Sequence, residues 1–209
     1  MLPKNEDRRL LRLVALTGMI GPVLFGALLV ILTISQYDFM RALRWHPLDP
    51  IDWPSGLALG PYGGWMTAAF AGGGLVLMLF ALGLRQLFPK SIATYLFFIA
   101  GIAMLLLMFP TDPTYSPIPK RLPSLIHDAA YVLLGISVMP GMIALSSQFK
   151  KLPEWQGYAR LTWLAIIVIV PTFILKGVAL YVFLLTILAW YGLISAHLWQ
   201  LIGPKHPHT

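Results

Sequence analysis

Six stretches of this 209-residue chain are apolar enough to cross a bilayer, and none carries a charge near its centre. About 20 mostly apolar residues span the roughly 30 Å hydrocarbon layer as a helix. With 58% of residues hydrophobic and 11% charged, the chain has too few polar groups to cover its own surface in water. Lipid is therefore the expected solvent. The stretches fall at about 13–34, 64–84, 91–109, 125–147, 160–175 and 178–202. They predict an all-α, polytopic transmembrane helical bundle of six spans, forming a single domain over 1–209.

The segments between the spans are marked by proline. Pro47, Pro50, Pro54 and Pro61 break 35–63 into turns and short pieces. Prolines 110, 113, 117, 119 and 123 make the link after the third span stiff and extended. Within the second span, Gly64, Ala68 and Gly72 recur every four residues, a small-residue stripe expected to let another helix backbone approach. Pro140-Gly141 is the expected kink of the fourth span. The apolar block 161–202 is too long for one span and is interrupted at Lys176-Gly177, so it is read as a hairpin of two.

Orientation follows from basic residues near the span ends. One side would hold Lys4, Arg8, Arg9, Arg12, Arg85, Lys90, Lys150, Lys151, Arg160 and Lys205, and the other Arg41, Arg44, Lys120, Arg121 and Lys176. Ten against five predicts cytoplasmic N- and C-termini. The net charge of +7 is thus topological, and no run of Lys or Arg exceeds two residues, which argues against nucleic acid as a partner. Without cysteine, disulfides and thiolate metal sites are excluded. No charge lies in mid-span to mark a proton path, so a proton-coupled carrier is not expected. His127 and His197 lie near opposite membrane faces on this reading, too far apart in depth to share one haem.

Chemistry-bearing residues gather in the two long loops of the outer face. Asp112 ends the third span, and His127-Asp128 sit in the first turn of the fourth. The 35–63 loop adds Asp38, His46, Asp49, Asp52 and Ser55. Asp112, His127, Asp128 and Ser55 are the catalytic candidates. Asp112 and His127, with Asp38 or another of the loop's His and Asp residues, are the candidate ligands of a divalent metal, because catalytic zinc takes three protein ligands and leaves one position open. No HxxxH or HExxH spacing supports such a site. A purely structural role competes: Ser124 is a good N-cap, Asp128 suits a helix N-terminus, and Asp112 beside Pro113 is a turn former.

Taken in order, several elements form a pattern: a Gly-rich first span, Tyr37-Asp38, Ser55-Gly56-Leu57, Trp65, Phe109-Pro110-Thr111-Asp112 and His127-Asp128. Over roughly 15–200 it resembles a prokaryotic membrane family known as domain of unknown function 998 (DUF998). The resemblance implies an integral membrane protein with polar residues on one face and supplies no established activity. The expected function is an accessory or scaffold-type membrane component with a polar outer-face site and a membrane-protein partner. The alternative is a membrane-embedded hydrolase, possibly metal-dependent, acting on a lipid or lipid-linked substrate. No cofactor beyond that metal is expected.

Overall fold

Apolar runs without interior charge leave the backbone as the main polar problem, and an α-helix solves it by pairing every interior N–H with a carbonyl of the same segment. The computed structural model describes residues 5–44, 49–113, 119–175 and 177–202, and among these it contains helices and no strand. The elements are α1 (Asn5–Ser35), α2 (Tyr37–Leu43), a 3-10 segment (Pro54–Leu59), α3 (Gly63–Leu87), α4 (Ala93–Leu106), α5 (Leu122–Phe149), a 3-10 turn (Pro153–Trp155), α6 (Gln156–Leu175) and α7 (Ala179–Ile202). Five helices are long and apolar enough to cross a membrane: α1, α3, α5, α6 together with the turn before it, and α7.

Boundaries differ from the sequence expectation in three informative places. The third stretch, expected over 91–109, yields only the 14 residues of α4. It passes into turns at Leu107–Phe109 because Pro110 disfavours helical backbone in the residue before it. Helix α1 starts at Asn5 rather than near 13, since arginines are good helix formers and their long side chains keep their charges outside the apolar zone. Helix α5 starts at Leu122 with Arg121 as its cap residue, so Ser124 is inside the first turn and is not the N-cap. Pro123 suits that start, because the N–H it lacks would have no helical partner there. The helix continues through Pro140.

The 161–202 block does divide in two. Helix α6 ends at Leu175, and Gly177 adopts φ +55°, a left-handed conformation that glycine enters freely. Lys176 lies outside the described residues.

Each long helix packs on the next, in the order α1, α3, α4, α5, α6, α7, and α7 returns to α1. The result is a closed ring of six helices. Its centre is aromatic: Phe80 lies 5.5 Å from Phe97 and 4.6 Å from Tyr191 between ring centroids, and Trp190 stacks on Phe97 at 5.8 Å. Two polar tips tie the ring together. The Trp190 indole N–H donates to Thr162 Oγ1 at 2.9 Å, and the Tyr191 hydroxyl donates to the Val76 carbonyl at 3.2 Å. Such interhelical bonds contribute on average about 0.6 kcal/mol each in a membrane. Large apolar side chains face outward, among them Val23, Ile34 and Ile174, each about 70% exposed. That surface suits lipid.

Close helix approach rests on glycines other than the expected stripe. A Cβ at Gly74 would lie 2.8 Å from the Gly101 carbonyl oxygen, so α3 and α4 touch backbone to backbone there. A side chain at Gly18 would collide with Ser195, where α1 meets α7. Gly64 and Gly72, by contrast, have nothing within 4 Å of a built Cβ. Among the described residues, the Gly64 and Gly72 positions therefore meet no neighbouring helix of this chain. Small residues at a spacing of four mark a face but not the partner it meets. Gly74→Leu should lower stability by about 1–3 kcal/mol through overpacking, while Gly64→Ala should change it by no more than about 1 kcal/mol. Thermal unfolding of the two variants in the same detergent measures the difference.

Candidate functional site

One end of the ring is covered by the two long connections. The first, after α1, is a folded cap rather than a loose loop. Buried Gln36 binds both sides of it: its side-chain oxygen accepts the Tyr62 N–H at 3.4 Å, and its amide donates to the Leu57 carbonyl at 3.5 Å. The Asp52 N–H donates to the Met40 carbonyl at 3.0 Å. Met40, Ile51 and Leu57 are buried and continuous with the apolar core of the ring, and Leu43 is buried as well. This packing carries Asp52, Trp53 and Ser55 over the ends of α3, α5 and α7.

The second connection is held by Asp112. Its carboxylate accepts the Arg121 backbone N–H at 2.9 Å and the Arg121 guanidinium at 2.5 and 2.6 Å. Its own N–H donates to Ser124 Oγ at 3.0 Å. The Arg121 backbone bond, followed by the guanidinium, holds the Asp112 carboxyl below the usual carboxylate range, and partial burial opposes them only in part. Lys120 pairs with Asp128 one turn into the helix. Thus Asp112 places an anion at the N-terminus of α5, where backbone N–H groups lack helical partners.

His127 is buried, and its Nδ1 lies 2.8 Å from the Phe109 carbonyl oxygen. A carbonyl only accepts, so Nδ1 carries the hydrogen and the neutral ring keeps its lone pair on Nε2. The ring lines a cavity of about 70 Å³ together with Asp52, Ser55, Thr111, Asp128 and Tyr131. A second cavity of about 370 Å³ adjoins it and is almost wholly apolar, lined by residues such as Pro22, Phe25, Ala68, Gly72 and Met104. The two share Leu134, Phe183 and Leu184 as a common boundary. Ala68 and Gly72 of α3 are thus part of the wall of the larger cavity, whereas Gly64 is not.

Of the five residues singled out in sequence, His127, Asp128 and Ser55 meet at the small cavity. Asp112 stands beside it and is spent on the clasp, so it does not pair with His127. Asp38 is exposed on α2 and does not line the cavity. Among the described residues, no group of three or more His, Cys, Asp or Glu side chains forms a potential metal site, so Asp112, His127 and Asp38 are not assembled as ligands. His46 lies outside the described residues. Asp52, only one of several loop acids in the sequence, is buried at the cavity, and Tyr131 joins it from the next turn of α5. An acid set between Ile51 and Trp53 and followed by proline was the available signal that this stretch packs inward. At the opposite end, His197 stacks on Tyr158 at 4.2 Å and meets Trp155 edge-on at 4.5 Å.

Because the Asp112 carboxyl titrates lower in the folded chain than when free, its ion pair stabilises the clasp fully above the ordinary carboxylate range and is lost as pH falls through its lowered value. Amide hydrogen exchange across 109–124, corrected for intrinsic rates, should therefore quicken on acidification. Asp112→Asn should exchange fast already at neutral pH and show little of this dependence.

The model of one protein family, described as a protein of unknown function (DUF998), matches residues 19–201. No curated protein and no solved structure matches the chain. The match begins within α1, reaches all six helices of the ring and spans both connections at the capped end. The chain is a multi-pass membrane protein and belongs to the DUF998 family.

Proposed function

We propose that this protein binds a lipid-like amphiphile at the outer leaflet of a prokaryotic plasma membrane, as an accessory or scaffold-type component rather than a catalyst. In this reading α4 completes six spans, both termini are cytoplasmic, and the capped end faces outward. The observation that carries it is the adjoining pair of cavities, a small one where Asp52, Ser55, Thr111, His127, Asp128 and Tyr131 gather within an otherwise apolar wall, and one almost wholly apolar and several times larger. Binding sites for small molecules are typically concave, mostly apolar and completed by a few placed polar groups. An amphiphile matches both halves; a wholly polar solute or a plain hydrocarbon matches one. A membrane-protein partner would receive or present the bound molecule.

A second reading, a membrane-embedded lipid hydrolase, is favoured by one fact: the Ser55 hydroxyl and the His127 ring line the same cavity. Ser55 would be the nucleophile and His127 the base. Ester hydrolysis by purified protein that disappears in Ser55→Ala would select this reading over the first.

The primary reading is tested by gentle purification followed by native mass spectrometry and lipid extraction. A co-purifying amphiphile should be present at about one per chain, and Gly72→Leu, which fills open space in the larger cavity, should reduce it several-fold. Protein that carries none, and takes up none from mixed lipid, sinks the reading. Orientation is tested separately, since the chain has no cysteine of its own. In intact cells a membrane-impermeant thiol reagent should label Pro119→Cys and spare Gln86→Cys.

A further inference from the structure

We infer that the bound amphiphile has a small head that donates hydrogen bonds, a hydroxyl or an ammonium group, and carries neither phosphate nor carboxylate. This inference rests on the amphiphile-binding reading above and names the chemistry of its ligand.

The hydrogens around the small cavity are largely committed elsewhere. His127 Nδ1–H is spent on the Phe109 carbonyl, which leaves the Nε2 lone pair. The Tyr131 hydroxyl donates to the Phe173 carbonyl at 2.7 Å, and Thr111 donates to the Asp112 carbonyl at 3.2 Å. Tyr131 thereby satisfies a carbonyl in the last turn of α6, which lacks a helical partner. Asp128 is a carboxylate and can only accept. What these four side chains can still offer is lone pairs. Ser55 can donate or accept, and Asp52 and Trp53, also in the wall, are engaged in further interactions.

Charge points the same way. No lysine or arginine lines the cavity among the described residues. The nearby Lys120 is paired with Asp128, and Arg121 with Asp112. A helix N-terminus would ordinarily attract an anion, but at α5 the chain supplies that anion itself in Asp112. An anionic head would therefore bring acceptors to acceptors without a counter-charge, and desolvating it there is unfavourable.

Size narrows the class further. About 70 Å³ suits a head of a few heavy atoms, given that a single water needs roughly 10–15 Å³ on this kind of measure. A glycerol or a primary amine fits, whereas a sugar diphosphate does not. The apolar chain of the ligand would lie in the larger cavity, past Leu134, Phe183 and Leu184.

The experiment titrates nanodisc-embedded protein with three probes of equal chain length: monolauroylglycerol, dodecylamine and dodecyl phosphate. The glycerol and the amine should bind, and the phosphate should bind at least about tenfold more weakly, as expected when a charged group loses its hydrogen-bond partners. Whichever of the first two binds tighter identifies a hydroxyl or an ammonium head. Ser55→Ala and His127→Phe should each weaken glycerol binding by roughly threefold to tenfold. Gly72→Leu should weaken all probes that bind, and Gly64→Leu, on the same helix but not in the cavity wall, should weaken none. Should His127→Phe fail to fold, the Ser55 and Gly72 variants still decide. Phosphate binding equal to or tighter than the others overturns the head-group inference while leaving amphiphile binding intact. Failure of all three probes to bind removes both.

Discussion

A bilayer interior supplies no hydrogen-bond partner, and every other feature of this fold answers to that fact. Backbone groups are satisfied within each helix, so helices must associate through fit rather than through exclusion of water. Fit comes from missing side chains: Gly74 against Gly101 and Gly18 against Ser195 let backbones approach at two of the ring's contacts. The few interior polar groups serve as fasteners. Trp190 reaches Thr162, Tyr191 reaches Val76, and Tyr131 reaches Phe173, so each bond joins two helices.

The same constraint sorts chemistry to the ends. Charged residues are concentrated where helices begin, end or turn, and at the capped end four of them are consumed in two pairs. Asp112 takes Arg121 and Asp128 takes Lys120. What the pairing leaves behind is a small chamber with a few polar groups and few uncommitted hydrogens, beside a larger one with almost no polar surface. Neither chamber would be unusual alone. Their shared boundary at Leu134, Phe183 and Leu184 makes a ligand with two characters the economical occupant.

Helix positions were largely legible in the sequence because an apolar run of the right length has one solution in lipid. The break between α6 and α7 was legible for the same reason, helped by Gly177. What periodicity could not disclose was the direction each face points. Gly64-Ala68-Gly72 reads like a packing stripe, yet the neighbouring Gly74 does the packing, and Ala68 and Gly72 line a cavity. Helix ends were the other weak point: Pro110 and Pro123 shifted them by several residues, which moved Ser124 from cap to first turn and handed it to Asp112. Within the site, Ser55, His127 and Asp128 were nameable because two proline-marked connections flank them. The places of Asp52 and Asp38 depend on how α2 and the 3-10 segment fold over the ring, and one chain read alone carries no signal for that tertiary choice.

The shortness of α4 has a consequence for the surrounding membrane. At about 1.5 Å per residue its 14 residues rise about 21 Å, well below the roughly 30 Å of an ordinary hydrocarbon layer. Its outward face, with Tyr95, Ile99 and Ile102 exposed, offers lipids less apolar height than the longer helices around it. Hydrophobic mismatch of this kind is relieved by local thinning. If α4 spans the membrane as proposed above, the bilayer beside it would thin locally and draw head groups down along that flank of the protein.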